Sequence, residues 1–170
     1  MRRVWIVLLA LAVSLAGALY LGRTVRGVSP YAAVNGLYAW ERMSFTADRE
    51  TYPREAETVT LTFRNDAPDG AVLLSDREPF RWCLEKEVDG VWRSLRHTGA
   101  EPRWRFREED CTAVSTPSGV VPWDGGEFVW YCDIAGSYPT PLEAGSYRIV
   151  IPDCEHLHDT ADLAVFFRVA

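Results

Sequence analysis

The sequence lacks the short motifs that mark common catalytic and phosphate-binding sites. It has no G-x-S-x-G nucleophile elbow and no glycine-rich loop that could hold a phosphate. Of its 3 histidines, two lie close together near the C-terminus and only His97 lies elsewhere, so no second group of residues has the spacing of metal ligands. These absences leave no motif-based case for a serine hydrolase or a nucleotide-binding protein.

Lysine is almost absent as well. Lys86 is the single lysine, and we attribute the excess of arginine to codon usage in a GC-rich genome. Removing Arg2 and Arg3 from the 18 basic residues leaves 16 against 24 acidic residues, a net charge of −8 for the rest of the chain. This negative balance argues against nucleic acid and against anionic lipid surfaces as partners.

The N-terminus contains the one long uncharged run. Residues 4–21 follow a short basic start and have Ser14 and Tyr20 as their only polar residues. As a helix this run spans roughly 27 Å, enough for the hydrocarbon core of a bilayer, so residues 1–21 are predicted to form a transmembrane signal-anchor helix. Ala16-Gly17-Ala18 has the pattern of a signal-peptidase site, so a cleaved signal peptide remains the alternative.

Both interpretations place the chain after about residue 22 on the extracytoplasmic side of the cell membrane, tethered or secreted. No cysteine lies near the apolar run, which excludes a lipid-modified N-terminal cysteine. All 4 cysteines lie in the exported part, an even number that favours disulfides in an oxidising compartment. Residues 22–36 contain glycine and proline without periodicity and are predicted to be a stalk.

The remaining residues, 37–170, predict one all-β domain. Short apolar alternations are broken repeatedly by turn residues, as in a sandwich or barrel. Val59, Leu61 and Phe63 share one face of a predicted strand, and the last residues of the chain alternate in the same way. We predict an all-β sandwich of about seven strands.

Two local signals refine this prediction. Asp89-Gly90 between two apolar alternations predicts a tight hairpin turn. Leu142, Gly145 and Tyr147 have the spacing of a tyrosine corner, in which the phenol binds a backbone group upstream. The alternation also places three tryptophans in the core: Trp82, Trp92 and Trp130.

Four stretches together resemble a bacterial immunoglobulin-like domain of exported Firmicute proteins, often anchored to the membrane or lipoprotein-like. They are "TVTLTFRND", "FRWCLEKEVDGVWRSL", "PLEAGSYRIVI" and "LAVFFRV". The resemblance covers roughly residues 37–170 and implies an immunoglobulin-like β-sandwich outside the cytoplasm. The chain departs from the usual pattern in its cysteines and in its long, irregular segment 96–126. The family implies no activity or catalytic residues.

The strand order implied by this resemblance brings the strand that carries Cys83 beside "GSYRIVI". It therefore favours one disulfide between Cys83 and Cys154, and the second pair is then Cys111 with Cys132.

The stretch "IPDCEHLHD", residues 151–159, holds the densest reactive chemistry. On an extended segment Cys154, His156 and His158 point to one side, where a thiolate and two imidazoles could bind Zn²⁺. A ligating Cys154 would leave an odd number of cysteines, so a disulfide cysteine beside solvated histidines is the preferred interpretation. No catalytic residue, metal or other cofactor is predicted.

Trp104 and Trp123 are the candidate ligand-binding residues. They lie in segment 96–126 among several arginines, where they could form an aromatic platform for a protein or glycan ligand. The competing interpretation is that both rings cover the sandwich beneath a long loop. The carboxylates of "REED", residues 107–110, are interpreted as a solvated loop.

The expected function is that of a non-catalytic binding or structural module, tethered to the membrane by its N-terminal helix. One alternative is a metal-dependent or thiol enzyme that uses Cys154, His156 and His158. Another is a proteinase-inhibitor-like sandwich that presents a loop to a protease.

Overall fold

The computed structural model describes residues 25–36, 40–68, 72–74, 82–98, 120–121, 126–157 and 159–170. The predicted N-terminal helix, residues 1–21, lies outside these residues. Among the described residues, no helix is both long and apolar enough to span a membrane.

The described part is mostly β-structure with one short helix. Its strands are β1 (Val25–Val28), β2 (Val34–Asn35), β3 (Met43–Ala47), β4 (Thr51–Tyr52), β5 (Thr58–Asn65), β6 (Val72–Leu74), β7 (Cys83–Val88), β8 (Val91–Leu95), β9 (Val120–Val121), β10 (Gly126–Asp133), β11 (Gly145–His156) and β12 (Asp159–Val169), and the helix α1 is Ile134–Ser137. The prediction of about seven strands missed several short ones, because strands of two to four residues carry too little alternation to be recognised.

Two sheets pack as a sandwich. In the larger sheet the order is β1-β8-β7-β11-β12-β2, with β4 also pairing with β12, and with β6 pairing with both β11 and β9. The smaller sheet has the order β10-β5-β3. β3 and β4 are neighbours in sequence but pair in different sheets, so the chain changes sheets between them.

The core forms between the apolar face of β5 and the apolar face of β12. In β5 the burial alternates residue by residue, and Val59, Leu61 and Phe63 are fully buried, as the period-two pattern predicts. The facing sheet supplies Leu84, Ile149 and other apolar side chains of β7, β11 and β12 to the same cluster. Sequence periodicity therefore identified the faces that the two sheets bury.

The turn between β7 and β8 is the predicted one. Asp89 and Gly90 have φ angles of 54° and 73°, and both positive values suit the right-handed twist of the flanking strands. Glycine is needed at the second position because it adopts positive φ without a steric penalty.

Residues 25–36 are part of the domain, which corrects the prediction of a stalk. β1 is the edge strand beside β8, and β2 lies parallel to β12 at the other side of the larger sheet. Residues 29–33, the crossing segment, therefore connect one side of this sheet to the other. The stalk prediction failed because two short strands at sheet edges leave no periodic signal in a glycine-containing sequence.

Candidate functional site

Cys154 lies inside the sandwich, so it does not form the reactive patch that the sequence suggested. Its side chain is fully buried in the core cluster, and its Sγ lies 3.6 Å from the Ile151 carbonyl oxygen, to which it donates. Burial raises the pKa of the Cys154 thiol well above its usual value. A protonated, enclosed thiol is a poor nucleophile and a poor metal ligand. The side chain of His156 and all of His158 lie outside the described residues.

The predicted disulfide between Cys83 and Cys154 is not formed, and both residues are free thiols. β7 does run antiparallel beside β11 as expected, but Cys83 lies opposite Val150 while Cys154 lies opposite Ala161. Cys83 and Val150 lie on the face of the sheet away from the core, whereas a bulge between Ile151 and Cys154 turns Cys154 into the core. The two side chains thus leave opposite faces of one sheet and cannot bond.

The other predicted disulfide joins Cys111 to Cys132. Cys132 is a free, fully buried thiol on β10, and Cys111 lies outside the described residues. Desolvation raises the pKa of Cys132 well above its usual value.

Only some of the predicted aromatic positions can be placed. Trp82 is buried in the core as predicted, and its ring packs 5.5 Å from that of Tyr138. Trp92 is not in the core, because its strand turns it to the opposite face of the larger sheet, where it is half-buried. The side chain of Trp130 lies outside the described residues. So do both candidate ligand-binding residues, Trp104 and Trp123.

Tyr147 makes the contact that the tyrosine-corner prediction requires. Its hydroxyl donates a 2.8 Å hydrogen bond to the Glu143 carbonyl oxygen, four residues upstream. Glu143 also accepts a hydrogen bond of 2.6 Å from Lys86 Nζ, which lies 5.7 Å from the centre of the Tyr147 ring. These contacts connect the start of β11 to β7.

The face of the larger sheet that points away from the core, here called the outer face, carries a buried polar cluster. Arg148 and Glu85 lie opposite each other on β11 and β7, and Arg148 Nε donates a 2.8 Å hydrogen bond to Glu85 Oε2. Ser94 donates to the other carboxylate oxygen, and Ser29 of the crossing segment accepts from Arg148 Nη2 at 3.4 Å. The Trp92 ring lies 4.6 Å from the guanidinium carbon. The crossing segment therefore lies against this face.

A cleft of about 400 Å³ opens at the end of the sandwich where β5 ends, β3 begins and β11 turns into β12. Residues from these three connections line it: Trp40, Glu41, Arg42, Ala67, Pro68, Leu157 and Asp159. Trp40, one of these lining residues, is half-buried and packs against the core.

The loops around this cleft are held by specific hydrogen bonds. The Asp66 amide donates to the Arg42 carbonyl oxygen at 2.9 Å, and the buried Asn65 side chain accepts from the Ala67 amide at 3.1 Å. Arg64 donates to both oxygens of Asp66, at 2.8 and 3.0 Å, and lowers the pKa of that carboxyl. The cleft thus has a preformed wall, which favours ligand binding with little reorganisation.

Sequence reasoning did not select the residues of this cleft. Its only signal was a tryptophan among turn residues directly before a strand, and that signal does not say which other loops come near. Chemically, the described lining offers a tryptophan, an exposed leucine, two carboxylates and one guanidinium, which suit reversible binding. Comparison of the chain with protein-family models, with curated proteins and with solved structures gives no match.

Proposed function

We propose that this protein is an extracytoplasmic, membrane-tethered immunoglobulin-like module that binds a ligand without catalysis. The observation that carries the binding role is the cleft at the Trp40 end, because three separate connections of a rigid sandwich converge there. Binding residues of sandwich domains are commonly found on such loops.

The strand arrangement supports the immunoglobulin-like assignment. The order β10-β5-β3 matches strands E, B and A of an immunoglobulin sheet, and β8-β7-β11-β12 matches C′, C, F and G of the facing sheet. The tyrosine corner lies at the start of β11, the strand that corresponds to F. Residues 25–36 and the strands β4, β6 and β9 lie outside this set of strands.

The extracytoplasmic location rests on the sequence, since a short basic start followed by the uncharged run of residues 4–21 has the pattern of an export signal or signal anchor. It is tested by a C-terminal alkaline phosphatase fusion, which is active only after export. An inactive fusion beside an active cytoplasmic β-galactosidase fusion would contradict the proposal.

The enzyme alternative depends on a reactive Cys154, and the burial of that thiol counts against it. Zinc analysis of the purified full chain is the direct test of this alternative. About one zinc per chain, lost in a Cys154→Ala variant that remains folded, would favour the enzyme over the binding module.

The binding role is tested with the full chain in a neutral detergent, applied to arrays of peptides and of glycans. We expect the chain to bind a restricted set of the peptides or glycans on the arrays. A Leu157→Ala variant should bind them more weakly, because Leu157 lines the cleft and is 66% exposed. A Val91→Ala variant is the control, since Val91 is an exposed apolar residue beside the β7–β8 turn. No binding on either array, or equal weakening by both variants, would contradict the proposal.

A further inference from the structure

The cleft at the Trp40 end lies beside a strongly acidic hairpin. Between Arg148 and Arg168 the chain has no lysine or arginine, and it has four carboxylates around the β11–β12 turn: Asp153, Glu155, Asp159 and Asp162. The exported part as a whole has a net charge of −8, by the count of 16 basic and 24 acidic residues. A field of one sign at a concave site attracts ligands of the opposite charge.

Two carboxylates within the cleft itself are available to a ligand. Glu41 and Asp159 are exposed lining residues, and neither forms an ion pair with any residue that the structure describes. Among the described lining residues Arg42 is the one cation, and it helps Arg64 to lower the pKa of Asp66. Two carboxylates against one guanidinium give the described lining residues a formal charge of −1.

The rest of the lining is apolar. Leu157 is 66% exposed and has a φ of 54°, so the turn presents a large apolar side chain to solvent. Pro68 is an exposed lining residue, and Trp40 lines the cleft while it also packs against the core. An indole is the side chain that interacts most strongly with cations through its face.

We propose that this cleft binds a basic segment of a polypeptide. A lysine or arginine of the ligand lies between Glu41 and Asp159 against the indole of Trp40, and a neighbouring apolar side chain packs on Leu157 and Pro68. The volume of about 400 Å³ suits a short stretch of chain. The inference rests on the proposed binding role and adds to it the chemical class of the ligand.

The test measures binding of blocked peptides, labelled with a neutral dye, to the full chain in a neutral detergent by fluorescence anisotropy. One peptide has arginine between two leucines, one has arginine between two glycines, and one has glutamate between two leucines. We expect the first to bind tightest and the glutamate peptide to bind at least about ten-fold more weakly.

Two double variants separate the cleft from the general acidity of the surface. Glu41→Gln with Asp159→Asn should weaken the arginine–leucine peptide about ten-fold, as expected for two exposed charge contacts. Glu55→Gln with Glu87→Gln removes the same charge from exposed positions near the start of β5 and the end of β7, away from the cleft, and should weaken it less than about two-fold.

Three results would overturn the inference. The first is that both double variants weaken binding of the arginine–leucine peptide equally. The second is that the glutamate peptide binds as tightly as the arginine–leucine peptide. The third is that neither arginine peptide binds at up to about 1 mM. A chain that fails here but binds glycans on the array, with sensitivity to Leu157→Ala, would keep the binding role and lose only its peptide class. A chain that binds neither probe would lose both.

Discussion

Arg148 and Glu85 form an ion pair on the outer face of the larger sheet, and almost none of it reaches solvent. Arg148 Nη2 lies 2.7 Å from Glu85 Oε2, and the two residues are 5% and 0% exposed. Trp92 covers the guanidinium and itself meets Phe166 edge-on, with ring centres 5.5 Å apart. The outer face is therefore a second buried layer, which residues 29–33 help to close.

This burial makes the pair sensitive to loss of one partner. Arg148→Met leaves the Glu85 carboxylate desolvated without its cation, so we expect the free energy of unfolding to fall by about 3–5 kcal/mol. Urea denaturation, monitored by circular dichroism, measures the change in the free energy of unfolding. A double variant, Glu85→Leu with Arg148→Met, should recover most of the loss, because no uncompensated charge stays buried. A cost below about 1 kcal/mol for Arg148→Met would mean that the pair is solvated.

Removal of residues 25–36 should destabilise the domain. A chain that begins at residue 37 loses the pairing of β1 with β8 and of β2 with β12, and it uncovers the Arg148–Glu85 pair. We expect a loss of about 3 kcal/mol or more relative to a chain that begins at residue 22. Equal urea midpoints for the two chains would restore the stalk interpretation of this segment.

Two buried tyrosine hydroxyls should differ in their contribution to stability. Tyr147→Phe frees a carbonyl oxygen of the partly exposed Glu143, which water can solvate, so we expect a cost of about 1 kcal/mol. Tyr138→Phe removes the acceptor of the Leu84 amide, at 2.9 Å in the core, and leaves that donor without its partner. Its expected cost is larger, about 2–3 kcal/mol. Urea unfolding of both variants checks the order, and the reverse order would contradict it.

The described cysteines should be unreactive in the folded chain. Cys83, Cys132 and Cys154 are free thiols whose pKa values burial raises, so few thiolates form near neutral pH. We expect iodoacetamide to modify these three thiols only after unfolding, with intact mass as the measurement. A folded chain two or four hydrogens lighter than the reduced mass, prepared from an oxidising host, would show that disulfides form.

The buried thiols also predict loss of stability in alkali. A folded thiol with a raised pKa keeps its proton to higher pH than the unfolded one, so its contribution is complete below about pH 8.5 and falls as pH rises above that value. For Cys132 the expected slope is about 1.4 kcal/mol per pH unit above about pH 9. Cys132→Ala should reduce the slope of the unfolding free energy against pH by that amount. An unchanged slope would contradict the burial of this thiol.

Local patterns predicted the features of this protein that depend on neighbouring residues. The alternation of Val59, Leu61 and Phe63 identifies the buried face of β5, because side chains alternate sides along any strand. The Asp89-Gly90 pair by itself predicts the hairpin turn, and the local sequence around Tyr147 predicts the tyrosine corner. The site was beyond such patterns, because Trp40, Pro68 and Leu157 are far apart in sequence and meet only when three connections reach one end of the sandwich.

The sequence by itself determined an all-β chain, its main core faces and its acidic character, since each follows from residue type and period two. The tertiary structure alone decided which face each cysteine takes and what covers Arg148. A single bulge before Cys154 reverses the side of the sheet to which its thiol points, and the periodicity of the sequence does not predict that bulge. Likewise, residues 25–36 read as a stalk until their strands find partners more than 60 residues away, because edge pairing depends on backbone hydrogen bonds that any sequence can supply.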